Sequence, residues 1–348
     1  MFSSSGTPEG TARFAAHFPA ARAAGFFRDA QGLKVSNVGI GTYLGAMDEA
    51  TDSSYTEAVL AALEGGVNFI DTSLNYRNQR SEQSIGAALR EAIDHNRISR
   101  DEIVVCTKAG YLVPDAFPDD SVAPSDIVGG MHSMAPAFLL DQMKRSHDNL
   151  GLETLDVFYL HNPETQLAHI SAHQFHDRIR EAFLFLEGAA DAGHIHFYGA
   201  ATWNGFRQKP AAPDGLSLGH LAAIAQSIAG DRHRFRFIQL PFNFAMPEAF
   251  AARINDRCLL DEARDLGITV VASASLLQAR LTRDLPVAFA EQFAGAETDA
   301  QCAIQFTRST PGIAVALVGM SQAAHVRENL ALAATSPLTD HQYRSLYK

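Results

Sequence analysis

Apolar runs of five to eight residues recur along the chain, and each is followed by a stretch whose hydrophobic positions return every three or four residues. The short runs are rich in β-branched and aromatic residues, which predicts strands; the longer spacing predicts helices. Eight strands are expected: Val35–Gly41, Val67–Asp71, Ile103–Lys108, Val157–His161, His196–Thr202, Phe235–Phe242, Ile268–Ala274 and Ala314–Gly319. Helices are expected at Tyr55–Glu64, Ser81–His95, Phe138–Leu150, Phe175–Ala192, Leu218–Ala229, Leu259–Leu266, Asp299–Thr307 and Ala323–Ala334. Gly65-Gly66, Gly193, Gly230 and Gly267 stand where helices stop, as C-terminal caps prefer.

Eight βα units predict an α/β fold of the closed parallel (β/α)8 (TIM) barrel type rather than a doubly wound sheet. Polar residues gather at the C-terminal ends of the apolar strands: Asp71, Lys108, His161, Thr202, Gln239 with Asn243, and Ser273. That end of such a barrel is where sites form. Residues 1–30 lie outside the eight-unit count and carry Phe14, Phe18, Phe26 and Phe27, so they are expected to form an N-terminal arm packed on the barrel of residues 31–348. Connections 109–135, 203–217, 244–257 and 280–298 are long βα loops that would shape the mouth.

Composition narrows the function. A net charge of -11 argues against nucleic acid, which needs a basic face. No apolar run approaches the ~20 residues of a membrane helix, and the N-terminus has no signal-peptide pattern. Cys106, Cys258 and Cys302 are far apart and odd in number, with no disulfide framework or metal spacing, which fits a cytoplasmic protein. Lysine occurs only at positions 34, 108, 144, 209 and 348, so Lys108 at the end of Val104-Val105-Cys106-Thr107 stands out. Burying an unpaired ammonium is costly, so that lysine needs a partner.

Each polar residue also has a plainer reading. Asp71-Thr72 could cap a helix, Tyr76 could be a rim aromatic, and His161 could be a satisfied core histidine. His169, His173 and His176 share a face if helical; that face is read as solvated, not metal-binding, and no metal is expected. Gly39-Ile40-Gly41 belongs to a strand and its loop, not to a dinucleotide-binding turn.

Taken in order, these segments resemble the aldo-keto reductases. Phe69-Ile70-Asp71-Thr72-Ser73-Leu74-Asn75-Tyr76 is similar to that family's Asp-Thr-Ala-x-x-Tyr segment. Ser81-Glu82-Gln83-Ser84-Ile85-Gly86 resembles its Ser-Glu-x-x-Ile-Gly helix start, and Thr107-Lys108 and Leu160-His161-Asn162-Pro163 resemble the segments bearing its lysine and histidine. The resemblance implies an NAD(P)(H)-dependent oxidoreductase interconverting a carbonyl and an alcohol. Tyr76 would be general acid or base, Lys108 would lower its pKa, Asp71 would hold the lysine, and His161 would donate a hydrogen bond to the substrate oxygen. Tyr43, Tyr111, His132 and Trp203 are further candidates for substrate contact.

The resemblance also implies a cofactor site. Gly41, Thr42, Tyr43, Asp71, Thr202, Gln239 and Ser273 would lie around the nicotinamide end. Leu276, Gln278, Arg280, Gly319, Ser321 and Gln322 fall in the loops after strands seven and eight, where barrels bind phosphate, with Ser321 expected to cap the last helix. His325, Glu328 and Asn329 would meet the adenosine. This chain departs from the family's pattern in having Ala201-Thr202 for a Ser-Asn pair, Ser273 for a stacking aromatic, and His325 for an arginine, with Arg280 or Arg327 as possible substitutes. NADP(H) is favoured slightly over NAD(H) on family habit. The segments Lys108-Ala109-Gly110-Tyr111 and Leu160–Glu164 resemble members that oxidise sugars or polyols. Two rivals remain: a cofactor-binding redox sensor with little turnover, as in channel subunits of this fold, and a metal-dependent barrel hydrolase or isomerase. A small-molecule carbonyl or sugar is the expected partner; oligomeric state is not legible.

Overall fold

The computed structural model describes residues 1–117 and 122–347. Two strands, β1 (Phe27–Ala30) and β2 (Leu33–Ser36), form an antiparallel hairpin. The next eight are β3 (Val38–Gly41), β4 (Phe69–Asp71), β5 (Val104–Ala109), β6 (Leu155–His161), β7 (Ile195–Ala201), β8 (Phe235–Pro241), β9 (Thr269–Ser273) and β10 (Ile313–Gly319). They close in the order β10-β3-β4-β5-β6-β7-β8-β9, with every pair parallel. The protein is therefore a (β/α)8 barrel. Its βα rhythm follows the apolar runs because strands covered on both faces are apolar throughout.

The expected first strand, Val35–Gly41, is corrected at its start. Val35 and Ser36 belong to the hairpin, whose two-residue turn, Gln31-Gly32, has φ of 51° and 82°. The chain then breaks: Ser36 Oγ donates to Val38 O, and Asn37 N donates to Phe26 O. The first barrel helix also begins earlier than its apolar stripe suggests. It runs Glu49–Glu64, because Asp48 caps it by accepting from Thr51 N at 2.8 Å.

The hairpin runs through residue 30 and seals the N-terminal end of the barrel. Ala30, Leu33 and Val35 are buried in one cluster with Phe69, Val104, Cys106, Val157, Tyr159, Phe237, Val271 and Val315. Helix Pro8–Ala16 packs beside it, with Arg13 paired to Asp101 and Glu102. Beneath the hairpin, Arg28 donates to the carbonyl oxygens of Ile313 and Arg308. With the lower end filled, the polar strand ends at the other mouth are left as the open end. All three cysteines are buried and unpaired. No helix among the described residues is long and apolar enough to cross a membrane.

Candidate active site

Asp71 is the last residue of β4 and pairs in register with Gly41 on one side and Cys106 on the other. The chain beyond it is tied to the neighbouring strand: Thr72 N donates to Cys106 O and Leu74 N to Lys108 O. Tyr76 comes next, followed by Arg77, Asn78 and Gln79 with φ of 50°, 54° and 73°. Three consecutive left-handed residues turn the chain sharply into helix Arg80–Asp94.

Lys108, fully buried at the end of β5, answers the question its sequence posed. Its Nζ donates to Asp71 Oδ1 at 2.5 Å and to Thr72 O at 2.7 Å. It also sits 4.8 Å from the centre of the Tyr76 ring. Asp71 Oδ2 accepts from Gln239 Nε2 at 2.7 Å, so both carboxylate oxygens are engaged. Tyr43 and His161 meet the Tyr76 ring edge-on, with centroids 5.0 and 5.7 Å away.

Burial sets the proton affinities here, and charge modulates them. Burial raises the Asp71 carboxyl, with Lys108 and Gln239 pulling it back. Burial lowers Lys108, but Asp71 and Tyr76 outweigh that and its pKa rises, so it stays charged. The Tyr76 phenol is raised by burial; Lys108 opposes this without reversing it. Lys108 thus acts in the expected direction on this phenol, but burial outweighs it and Tyr76 stays protonated. His161 is held well below the usual imidazole range by burial, by Lys108 and by His132, so its ring is neutral.

These side chains open onto one cleft of about 670 Å³. Of the sequence candidates, Gly41, Thr42, Tyr43, Asp71, Tyr76, Tyr111, His161, Thr202, Trp203, Gln239, Ser273, Leu276, Gln278, Gly319, His325, Glu328 and Asn329 line it. Lys108 lies beneath, behind Asp71. Others are not brought there. His132 is buried behind His161, where its Nε2 lies 2.8 Å from His161 O and its Nδ1 3.2 Å from Gln166 Nε2. Gly110 makes that contact possible: a Cβ there would sit 2.4 Å from His161 O and 2.7 Å from His132 Nε2. Arg280, Ser321 and Gln322 are not among the lining residues. Nor does Ser321 cap helix Ala323–Leu330: that cap is Gln322, while Ser321 O accepts from Ser54 Oγ.

The far half of the cleft offers groups suited to a dinucleotide. Ser275 Oγ and Asn329 Oδ1 are buried and have no hydrogen-bond partner. Orphaned buried polar atoms are uncommon, and here they sit in a cavity that something polar could fill. Between them Leu277, Gln278 and Ala279 have φ of 46°, 52° and 64°, a left-handed run that leaves backbone N–H groups outside helix or sheet. Thr202 N donates to Gln239 O at 2.8 Å, coupling the two candidates for the carboxamide. No lysine or arginine is among the lining residues.

Two contributors escaped the sequence reading. Ser73 Oγ lies 3.1 Å from His161 Nδ1. Glu164, buried after β6, accepts from the backbone N of Trp203, Asn204 and Gly205 at 2.7, 3.1 and 3.2 Å, fixing the loop that bears Trp203. Ser73 was visible only as a departure from an alanine in the motif; nothing local marked Glu164. The histidine face resolves into surface contacts: His173 pairs with Asp177, and His176 stacks on His220. No group of three or more potential metal ligands is found among the described residues.

Fold and site together define a barrel with a paired lysine, a buried carboxylate, a tyrosine and a neutral histidine converging at its open mouth. The chain belongs to the aldo/keto reductase family, whose model matches residues 37–348. A D-threo-aldose 1-dehydrogenase from Pseudomonas sp is 32% identical over 155 residues, 42% of this chain and 44% of that protein. The chain thus aligns with less than half the length of this curated relative. An aldo/keto reductase from Klebsiella pneumoniae, solved with NADP and acetate, is similar at 20% identity and a TM-score of 0.62, covering 91% of this chain and 92% of that one. A glycerol dehydrogenase from Gluconobacter oxydans matches at 19% identity and a TM-score of 0.65, over 92% and 94% of the two chains.

Proposed function

We propose that this protein is an NAD(P)(H)-dependent oxidoreductase that interconverts a carbonyl, in an aldehyde, ketone or sugar lactone, and the matching alcohol or lactol. The observation that carries this reading is the contact of Lys108 with both Asp71 and the Tyr76 ring at the floor of the cleft. Bound in the far half, a nicotinamide cofactor supplies or accepts the hydride. Thr202 and Gln239 would hold its carboxamide, the Ser275–Ala279 turn and Gly319 its phosphates, and His325, Glu328 and Asn329 its adenosine. The orphaned Ser275 and Asn329 oxygens fit that role.

Tyr76 gives its proton to the oxygen that gains charge as a carbonyl is reduced. Lys108 offsets the phenolate left behind, and Asp71 keeps the ammonium in place. In the reverse direction the phenolate takes the proton from the alcohol. His161 faces the same oxygen-bearing end of the substrate, and Trp203 and Tyr111 form its walls. NADP(H) is taken slightly ahead of NAD(H) on the resemblance, with His325 as the cleft's nearest counterpart to an arginine.

The test is titration of the protein with NADPH and NADH, following the fluorescence of Trp203, the single tryptophan. Saturable quenching followed by turnover of a carbonyl or sugar that Tyr76→Phe abolishes is the expected result. Quenching without turnover on any such substrate replaces the enzyme with a redox-sensing binding protein, a reading that Ser273 favours by leaving the ring-stacking position without an aromatic. No binding, checked by calorimetry, overturns both.

A further inference from the structure

His132 belongs to a chain of hydrogen bonds whose direction is forced from both ends. At one end stands Arg178, half-buried on helix Ala172–Asp191 and not among the residues lining the cleft. Its Nη1 donates to Gln166 Oε1 at 3.1 Å, and its Nη2 donates to Ser125 O, in the 109–135 loop, at 2.9 Å. A guanidinium can only donate, so the Gln166 amide must face it with oxygen. The amide nitrogen is thereby turned to His132 Nδ1, 3.2 Å away, which must accept. At the other end His132 Nε2 lies 2.8 Å from His161 O, and a carbonyl can only accept. Both ends therefore require the same ring: neutral, bare at Nδ1, with its proton on Nε2. Burial, with the charge of Arg178 behind it, lowers this imidazole to about 4, in the same sense.

The last paired residues of β5 and β6 are Ala109 and Leu160. His161 is the next residue of β6, and its carbonyl meets the imidazole N–H where the pairing with β5 has ended. Beyond it the chain turns away through Asn162, whose φ is 48°. His132 is itself pinned, its backbone exchanging hydrogen bonds with Val128 of 2.8 and 3.2 Å around the left-handed pair Gly129-Gly130. Tyr111 stands edge-on to both histidine rings, with centroids 5.2 Å from each. We propose that Arg178, Gln166 and His132 are positioning residues: Arg178 orients Gln166, Gln166 fixes the tautomer of His132, and His132 holds the backbone of His161 where its ring meets the substrate. The relay serves the site without lining the part of the cleft where substrate sits. Without Arg178 the Gln166 amide is free to turn its oxygen to Nδ1, which admits the other tautomer. A bare Nε2 against a carbonyl then repels His161. The turnover clause rests on the redox reading above; the direction of the hydrogen bonds does not.

Long-range proton–nitrogen NMR of ¹⁵N-labelled protein reads the His132 tautomer without any turnover. The His132 signals are those lost in His132→Gln. A pyridine-like Nδ1 and a pyrrole-like Nε2 are expected, and Arg178→Met should move both toward averaged positions. The reverse pattern, or a pattern unchanged by Arg178→Met, overturns the relay. In turnover, Arg178→Met should lower kcat for a carbonyl about fivefold, as loss of one net hydrogen bond allows, with cofactor quenching of Trp203 unchanged. In a His161→Gln background the same change should cost nothing further, because the relay acts through His161. Equal losses in both backgrounds, or a loss carried by weaker cofactor binding, would make Arg178 a structural residue only. A kcat that Arg178→Met does not lower removes the positioning role. Absence of turnover by the unaltered protein defeats the redox reading, while the spectra still decide the relay.

Discussion

The two halves of the cleft are built on opposite plans. On the side of β4, β5 and β6, Lys108 is already bonded to Asp71 and Thr72, Asp71 to Gln239, and His161 Nδ1 lies against Ser73. On the side of β9 and β10, Ser275 and Asn329 have no partners and the backbone lies in left-handed turns. The Lys108–Asp71–Gln239 network of the first half is assembled before any ligand arrives, as a site that must hold geometry to a fraction of an ångström requires. The second is incomplete, as a site that gains its last bonds from a ligand should be. A preassembled ion pair and unpartnered polar atoms thus share one barrel rim.

Four experiments would break or sharpen that contrast. The largest effect is expected at Tyr76. Tyr76→Phe should lower turnover by roughly 10²–10⁴-fold, the usual range for losing a positioned proton donor, while cofactor quenching of Trp203 stays intact. Because the phenol is raised, carbonyl reduction should persist above the ordinary tyrosine value of about 10. Alcohol oxidation, which needs the phenolate, should climb with pH across that range. Inflections in the opposite order would mean that another group carries the proton.

Next comes the buried ion pair. Lys108→Met leaves Asp71 without its cation and should cost about 3–5 kcal/mol in denaturant unfolding. A loss under about 1 kcal/mol would show that the pair is not the keystone of the first half. His132 supplies a third, pH-dependent term. Its folded pKa is lowered to about 4 from the ordinary 6.5, chiefly by burial. The unfolded chain therefore binds the proton more readily between those values. Stability contributed by this site is full above 6.5 and is lost as the pH falls toward 4, by about 3 kcal/mol in all. His132→Gln should flatten that part of the curve; an unchanged slope would assign it to other groups.

The smallest effects belong to the unfinished half. Ser275→Ala and Asn329→Ala should change the stability of the cofactor-free protein by under about 1 kcal/mol, since neither atom makes a hydrogen bond there. Each should weaken cofactor binding by about fivefold to tenfold in calorimetry. If stability falls and affinity does not, those atoms are structural.

Legibility in the sequence follows the same division. Strand ends were readable because a charge closing an apolar run has few reasons to be there; Asp71, Lys108 and His161 all announced themselves this way. The hairpin was not, since Val35 and Ser36 continue the apolar run and only the turn at Gln31-Gly32 and the break at Asn37 separate them from β3. Leu277, Gln278 and Ala279 carry no glycine to betray their left-handed turn. His132 was placed at the substrate mouth because its loop is long, yet Gly110 lets it slip behind His161. Ser73 and Glu164 act through partners distant in sequence, which no local pattern encodes.

The hairpin beneath the barrel has a bearing on the timing of proton traffic. Below Lys108 the interior is filled by Cys106, Tyr159 and the apolar cluster that Leu33 and Val35 complete. The ammonium and the phenol can therefore exchange with bulk water only upward, through the cleft. A ligand that fills the cleft closes that route. In a reductive cycle the proton given up by Tyr76 would be one loaded before the ligands arrived, replaced only after they leave. The barrel would behave as a vessel charged from one end, carrying a single proton per filling.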